Sequence, residues 1–373
     1  MHLSDVRKIA VLRANGIGDL MFALPALDAL RAAYPRAHIT LLGAAHHATL
    51  LEGRPTPVDR VVVVPPSRGV NEVDGPERAD VLEEFVDAMR AEQFDLALQM
   101  HGGGRYSNPF IRRLAARVTV GLKGSDAPAL DRWIPYTYWQ PEVARYIEVV
   151  SLVGARPTTL VPHLTVTARD LAEAEEVVPS TDAPLVLLNP GATDPRRRWT
   201  AAGFAAVGDS LAELGARVIL HGCGAEREIT REVVDLMRAD AVDVAGHLSL
   251  RALVGLASRC SVVVSNDSGP LYVCAAAGAP TVGIYWCGNL PTSGMLTRAR
   301  HRPVAAWRLA CPVCGAHCVY DGCDHRTSFV ADVEPCDVIA AALEVSCCAR
   351  VPLGAHADTS GSYIASRDQL SSC

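Results

Sequence analysis

The sequence lacks any long apolar run and any excess of basic charge. No apolar run approaches the roughly 20 residues that span a bilayer, and the N-terminus has no apolar segment of the secretory type. We therefore expect a cytoplasmic protein, with peripheral contact at the inner face of the cell membrane left open. The net charge of −6 argues against nucleic acid as a partner.

Two absent motifs exclude further classes. Gly-x-Gly-x-x-Gly is missing after the first strand-like run, which disfavours a nicotinamide-dependent oxidoreductase. No Asp-x-Asp triplet occurs, so the metal-diphosphate site of one major fold of sugar-transfer enzymes is missing. Charge on a departing diphosphate would then have to be stabilised by protein cations and backbone amides.

What is present predicts two α/β domains. The 373 residues suffice for two domains, and 49% hydrophobic residues suffice for a core in each. Short apolar strands alternate with helix-period segments, which predicts parallel sheets covered by helices. We place the domains at 1–165 and 180–346, with a proline-containing linker within 155–184, and expect the Ser- and Gly-rich tail 347–373 to be disordered. The predicted strands are 9–12, 38–42, 60–64, 95–99 and 117–120, then 185–188, 218–220, 261–264 and 281–284.

Glycine-containing turns follow the predicted strands in both halves. Residues 15–19 follow the first strand, and residues 265–270 follow a strand of the second half. Three more such segments of the second half, at 190–193, 222–228 and 246–249, also follow short apolar runs. Ligands of open α/β sheets bind at the carboxyl ends of strands, where amides and helix N-termini hold phosphate. The pattern predicts a cleft with a base on one wall and an anion site on the other.

Individual side chains in these turns have two interpretations each. Asp19 either caps the helix that follows or removes a proton from a hydroxyl as a general base. Asp267 either caps its helix or, if Ser268 or Asn266 does so, is free for a ligand hydroxyl. Three arginines at 196–198 either form a solvated surface or neutralise a diphosphate.

In this order and spacing, the turns resemble glycosyltransferase family 9, the ADP-heptose:lipopolysaccharide heptosyltransferase family, over about residues 7–345. The segments that carry the resemblance are Arg13 with Gly16-Ile17-Gly18-Asp19 and Pro25, Asn189-Pro190-Gly191 with Arg198-Trp199, Gly224-Ala225-Glu226-Arg227-Glu228, Gly246-His247-Leu248-Ser249-Leu250, and Ser265-Asn266-Asp267-Ser268-Gly269-Pro270.

The resemblance implies the GT-B fold, in which two Rossmann-like domains face each other across a cleft. It implies an inverting, metal-independent transfer of a sugar, a heptose from ADP-heptose, to a hydroxyl of a glycan or glycolipid, with no cofactor required. The acceptor would bind the first domain and the nucleotide sugar the second. The implied roles are Asp19 as general base, Thr193 and Arg198 on the donor phosphates, Glu228 on the ribose hydroxyls, Leu248 at the base, and Asp267, Ser268 and Gly269 at the diphosphate and the transferred sugar.

The sequence departs from the family pattern at two places. Tyr272 stands where the family usually has His, and Cys274 where it has Ala, so a donor-side contact is changed. Because of this change, the alternative is a transferase of the same fold that uses another donor. Such an enzyme would act in capsule, exopolysaccharide or natural-product glycosylation. The segment 99–105 matches the family only in part, and its His101 and Arg105 are our candidates for acceptor contacts. A sugar-nucleotide epimerase and a non-catalytic nucleotide-sugar binder have less support.

Four of the twelve cysteines lie close together: Cys311, Cys314, Cys318 and Cys323. Cys-x2-Cys with two further soft ligands, a set to which His317 and His325 could contribute, suits tetrahedral zinc. Free or partly paired thiols are the alternative. A structural zinc and free thiols both stay open at this point. We expect the segment to pack beside the cleft rather than inside it, and we expect no structural role for Cys347, Cys348 and Cys373.

Overall fold

The computed structural model describes residues 3–72, 77–319 and 321–348. These residues form two six-stranded sheets, and every strand pairs parallel to its neighbours. Helices separate consecutive strands along the chain, except between the strands Val118–Lys123 and Arg132–Pro135, which a loop joins. The predicted α/β class with two parallel sheets is confirmed.

The first sheet has the strand order β3-β2-β1-β4-β5-β6. Its strands are β1 (Lys8–Leu12), β2 (His38–Gly43), β3 (Arg60–Val63), β4 (Leu96–Gln99), β5 (Val118–Lys123) and β6 (Arg132–Pro135). The helices are α1 (Ile17–Ala33), α2 (Ala45–Leu51), α3 (Ala79–Ala91), α4 (Ser107–Arg113) and α5 (Glu142–Ser151). The strand order reverses between β1 and β4, so the turn that leads from β1 into α1 lies at the point where such sheets bind ligands.

The second sheet repeats this topology, with the order β12-β11-β10-β7-β8-β9. Its strands are β7 (Leu185–Asn189), β8 (Arg217–Leu220), β9 (Ala241–Asp243), β10 (Cys260–Asn266), β11 (Thr281–Trp286) and β12 (His301–Ala306). The helices are α6 (Ala168–Val177), α7 (Ala201–Glu213), α8 (Arg227–Leu236), α9 (Leu250–Arg259), α10 (Gly269–Ala276), α11 (Leu290–Ser293) and α12 (Pro335–Cys348). Here the order reverses between β7 and β10, and the turns after both strands carry predicted site residues.

All nine predicted strands are confirmed, but the sequence did not predict β6, β9 and β12. All three are edge strands: β9 has only three residues, and β6 and β12 contain a proline, Pro135 or Pro303. Proline is tolerated at an edge but weakens the strand signal. Pro25 lies in the interior of α1, which begins at Ile17. The helix is buried along most of its length, and this packing outweighs the hydrogen bond that the proline removes.

The two halves meet where α1 and α10 begin. A Cβ at Gly18 would lie 3.2 Å from the Cα of Gly269 and 2.9 Å from the Tyr272 ring, so only a glycine allows this approach. One turn further along α1, the rings of Phe22 and Tyr272 pack edge to face with centroids 4.5 Å apart. This contact brings the two helix N-termini to the same place.

The predicted linker contains a helix, α6, which binds both halves through a buried carboxylate. Asp170 accepts hydrogen bonds from both terminal nitrogens of Arg54 at 2.7 Å, and both side chains are fully buried. Arg251 on α9 lies 3.5 Å from the same carboxylate. Asp170 also accepts the backbone N–H of Thr167, which caps α6. The short, charged α6 sequence carries little apolar signal, and tertiary contacts hold the helix in place.

The predicted tail begins inside a helix. Residues 347 and 348 are the last of α12, so for these two the prediction of disorder is wrong. The rest of 347–373, including Cys373, lies outside the described residues.

Candidate active site

A cleft of about 960 Å³ lies between the two sheets. Residues at the start of α1 line one side of it, and the turns after β7, β8, β9 and β10 line the other. The four glycine-containing segments of the second half therefore meet at one edge, as their positions after strands predict. Of the predicted site residues, the cleft lining includes Asp19, Thr193, Leu248, Asp267, Ser268 and Gly269.

Asp19 lies on the first wall, and its carboxylate is held on both oxygens. Oδ1 is 2.6 Å from Nη2 of the buried Arg13, and Oδ2 accepts the backbone N–H of Gly16 at 3.1 Å. About a third of the side chain, 35%, stays exposed. The capping interpretation is thus correct, but it does not use up the carboxylate, because an ionised carboxylate has about four acceptor positions.

A second carboxylate, Glu142, lies on the same wall and was not predicted. It forms ion pairs with Arg145 and, at 3.7 Å, with Arg13, and it accepts a hydrogen bond from the Tyr146 hydroxyl. Burial raises the pKa of the Glu142 carboxyl above its ordinary value, although Arg13 and Arg145 oppose this shift. Glu142 follows no predicted strand and belongs to no motif, so the sequence contains no signal for it.

On the opposite wall, α10 begins with Ser268 as its N-cap residue, so Asp267 does not cap the helix. Asn189 at the end of β7 donates to the hydroxyls of Ser265 at 3.0 Å and Ser268 at 3.1 Å. The Oδ1 of Asn189 in turn lies 2.7 Å from Nδ1 of His221, whose pKa burial lowers to about 4. This network fixes the turn, and Ser268 and Gly269 at the start of α10 line the cleft.

Asp267 is almost fully buried, and its two oxygens already have partners. Oδ1 accepts from the Tyr272 hydroxyl, and Oδ2 accepts from Nδ2 of Asn289 at 2.9 Å and lies 3.6 Å from Nη1 of Arg197. Burial, followed by the charge of Asp267, raises the pKa of Tyr272, so its hydroxyl stays protonated as a donor. The residue that replaces the family His is therefore bound to the neighbouring carboxylate.

Two of the predicted donor contacts, Arg198 and Glu228, do not line the cleft. A residue close to each in the sequence does line it: Arg197 and Glu226. Arg198 donates to the carbonyl of Ala192 at 2.7 Å, whereas Arg197 lines the cleft. Glu228 is exposed on α8. The carboxylate of Glu226 lies against Gly191, where a Cβ would be 2.2 Å from Oε1. Each predicted segment reaches the cleft, through Arg197 and Glu226 rather than through Arg198 and Glu228.

The candidate acceptor residues His101 and Arg105 line smaller pockets that adjoin the cleft. One of these pockets contains His101 and Arg105, and a second contains His101 together with Asp19. Burial lowers the pKa of His101 to about 3, so its imidazole is neutral at physiological pH. Its Nδ1 accepts the backbone N–H of Ala14 at 3.4 Å. Arg105 is exposed, with Asp126 at 3.6 Å.

The cysteine segment brings together Cys311, Cys314, Cys323 and His325, whose ligand atoms all lie within 4.8 Å of one another. Cys318, the fourth predicted ligand, is not part of this group, and His325 takes that place. Arg326, the next residue, lines the cleft, so the expectation that this segment stays beside the cleft is wrong at this point. None of the described helices is both long and apolar enough to cross a membrane.

The comparison with known proteins agrees with this geometry. The sequence profile of glycosyltransferase family 9 (heptosyltransferase) matches residues 83–300. The chain is 26% identical to lipopolysaccharide heptosyltransferase 2 of Escherichia coli K12 over 299 residues, 74% of this chain and 82% of that protein. It is 25% identical to lipooligosaccharide heptosyltransferase 2 of Haemophilus influenzae over 307 residues, 78% and 85% of the two chains.

Solved structures with the same fold include two from this family. A glycosyl transferase family 9 protein from Veillonella parvula superposes with a TM-score of 0.74 at 22% identity, over 93% of this chain and 99% of that one. The E. coli ADP-heptose LPS heptosyltransferase II gives 0.71 at 19% identity, over 91% and 98%. These likenesses confirm the predicted two-Rossmann GT-B fold. Because the family profile covers more than half of its residues, the chain belongs to glycosyltransferase family 9, the heptosyltransferase family, and is a glycosyltransferase.

Proposed function

We propose that the protein transfers a heptose from ADP-heptose to a hydroxyl of a glycan or glycolipid acceptor, with inversion at the anomeric carbon. One observation carries this proposal: Asp19 and the N-terminus of α10 line the same cleft from opposite sides. The acceptor domain would be 1–165 and the donor domain 180–346. The names of the relatives, lipopolysaccharide and lipooligosaccharide heptosyltransferases, support the choice of heptose and of a lipid-linked acceptor.

Asp19 is suited to remove the acceptor proton. Arg13 and the Gly16 N–H fix its carboxylate in place, and its exposed part faces the cleft. As the carboxylate takes the proton, the acceptor oxygen attacks the anomeric carbon, and the bond from that carbon to the diphosphate oxygen breaks. The electron pair leaves with ADP, and no covalent sugar–enzyme intermediate forms.

The departing diphosphate needs positive charge, which the second half supplies. The N–H groups at the start of α10 and the hydroxyls of Thr193 and Ser268 border the cleft, and Arg197 adds a full charge. Arg198 belongs to the same loop and fixes its shape through Ala192. These groups stabilise the leaving group without a metal, so we propose that the reaction needs no cofactor.

The acceptor would enter through the pockets that adjoin Asp19. Because His101 is neutral and uses Nδ1 to accept from Ala14, its Nε2–H can donate to a sugar hydroxyl. The exposed Arg105 can pair with an anionic group of the acceptor. A glycolipid acceptor would place the protein in the cytoplasm, in peripheral contact with the inner face of the membrane.

Tyr272 supports a second candidate, a transferase of the same fold with another nucleotide sugar. Its ring and its bond to Asp267 fill the place of the family His, so the space next to the transferred sugar is changed. Thermal shifts distinguish the two: ADP should stabilise the protein more than UDP or GDP, and equal or greater stabilisation by UDP would favour the second candidate.

The position of Glu226 predicts which acidic residue holds the nucleotide. Glu226→Ala should weaken ADP binding by about 1–3 kcal/mol, the cost of losing charge-assisted hydrogen bonds to the ribose. Glu228→Ala, on the exposed face of α8, is the matched control and should leave the affinity unchanged. Isothermal titration with ADP measures both. Loss of affinity in the Glu228 variant alone would instead support the role that the family resemblance implies for Glu228.

A further inference from the structure

The three thiols and the imidazole of Cys311, Cys314, Cys323 and His325 are close to the spacing of a tetrahedral metal site. Their ligand atoms all lie within 4.8 Å of one another. Zinc–thiolate bonds of about 2.3 Å place the ligand atoms of a tetrahedral site roughly 3.8 Å apart. The four groups would therefore each have to move by less than about an ångström, which a change of side-chain rotamer supplies.

The local backbone already has the form that such a site needs. Gly315, directly after the Cys-x2-Cys pair, has a φ of +75° and donates its N–H to the carbonyl of Cys311 at 2.9 Å. The N–H of Cys311 donates to the carbonyl of Ala316 at 2.8 Å. This tight turn brings Cys311 and Cys314 to the same side of the chain, as a chelating pair requires.

His325 supplies an independent observation. Its Nδ1 is buried and has no hydrogen-bond partner among the described residues. An unpaired buried polar atom costs about 1–3 kcal/mol, and a metal ion bound by the imidazole removes that cost. Three soft thiolates with one imidazole select zinc over magnesium or calcium, which prefer oxygen ligands.

The residues directly after His325 connect this cluster to the cleft. Arg326 lines the cleft. The Ser328 hydroxyl donates to the carbonyl of Arg198 at 2.5 Å, and the Phe329 N–H donates to the carbonyl of Arg196 at 2.8 Å. The Arg196 guanidinium lies 5.9 Å above the Phe329 ring. The segment 326–329 thus lies against the loop 196–198, which places Arg197 in the cleft.

Little else orders the chain that carries these ligands. Between the end of β12 and the start of α12, the described residues form no helix or strand, apart from one isolated bridge between Ala310 and His317. Trp307, Leu309 and Val313 are 76%, 49% and 57% exposed, so apolar burial near the ligands is small, and it resumes only at Phe329 and Val330. A metal ion that joins the four ligands would hold such a segment in one conformation.

We propose that Cys311, Cys314, Cys323 and His325 bind one zinc ion, and that this ion holds Arg326 and the loop 196–198 at the donor end of the cleft. The site is structural and takes no part in sugar transfer. Its effect on ADP binding rests on the function proposed above, but its occupancy does not.

The first test is metal content. Protein purified without chelator or polyhistidine tag should carry about one equivalent of zinc per chain by elemental analysis. Cys323→Ser should lose most of it, whereas the matched control Cys318→Ser, in the same segment but outside the group, should keep it. Cobalt exchanged into the wild type should give the intense visible absorption of a tetrahedral thiolate site. Absence of zinc from the wild type, or equal loss in both variants, overturns the site.

The second test is the link to the cleft. Removal of zinc by a chelator should weaken ADP binding about tenfold, and added zinc should restore it. Cys323→Ser should show the same loss, and Cys318→Ser should bind ADP like the wild type. Zinc loss with unchanged ADP affinity overturns the link but leaves the metal site standing. If the zinc-loaded wild type binds no ADP, the proposed function and the link fail together, while metal content still decides the site.

Discussion

Asp19→Asn should lower the rate of sugar transfer by about 10²–10⁴-fold, the range for removal of a general base. Asparagine keeps the shape, and its single amide oxygen can still accept from Arg13, so the start of α1 should stay folded although the hydrogen bond from the Gly16 N–H is lost. What is lost is the ability to take the acceptor proton. Steady-state release of ADP, measured with saturating donor and acceptor, gives the rate.

The matched control for this variant is Asp28→Asn, the same chemical change on the same helix. Asp28 is not among the residues that line the cleft, so its variant should transfer at close to the wild-type rate. ADP affinity should be unchanged in both variants. Transfer by Asp19→Asn within tenfold of the wild type would mean that another group, such as the neighbouring Glu142, removes the proton.

Asp170→Ala should destabilise the protein by about 3–5 kcal/mol, because it leaves the fully buried guanidinium of Arg54 without its counter-ion. Arg251 loses its nearest buried carboxylate in the same change. Urea unfolding gives the free energy. The exposed Glu176, on the same helix α6, provides the control variant Glu176→Ala, which should stay within about 0.5 kcal/mol of the wild type.

A second variant separates the ion pair from the helix it caps. In Asp170→Ala with Arg54→Met, the fully buried guanidinium is removed and Arg251 keeps Glu52 at 4.0 Å, so much of the lost stability should return. A cost of less than about 1 kcal/mol for Asp170→Ala alone would contradict the view that this carboxylate holds the two halves together.

The sequence predicted the strands that lie inside the sheets because they read as short apolar runs followed by turns. It missed β6 and β12, where edge exposure and a proline remove that signal, and β9, an edge strand of only three residues. It also missed α6, since that helix is held by the Asp170 ion pairs, and an ion pair formed at long range leaves no local pattern. The periodicity of hydrophobic residues in a sequence indicates which faces are buried. Elements that are held in place by other interactions, or that lie at an exposed edge, are therefore not predicted by it.

The same reasoning applies to the site. Asp19, Ser268 and Gly269 follow the central strands of their sheets, so topology alone brings them to the cleft. Glu226 and Arg197 lie within predicted segments, but the path of one turn decided which residue faces inward. Glu142 comes from a helix with no motif, and only the fold brings it within 3.7 Å of Arg13.

A donor competition assay tests the central claim most directly. The protein is incubated with a core glycolipid acceptor and an equimolar mixture of ADP-heptose, UDP-glucose and GDP-mannose, and the product is analysed by mass spectrometry and by NMR of its new anomeric centre. The proposed function predicts an acceptor enlarged by one heptose, with anomeric configuration opposite to that of the donor. A product that carries a hexose from UDP or GDP, or one that retains the donor configuration, would contradict it.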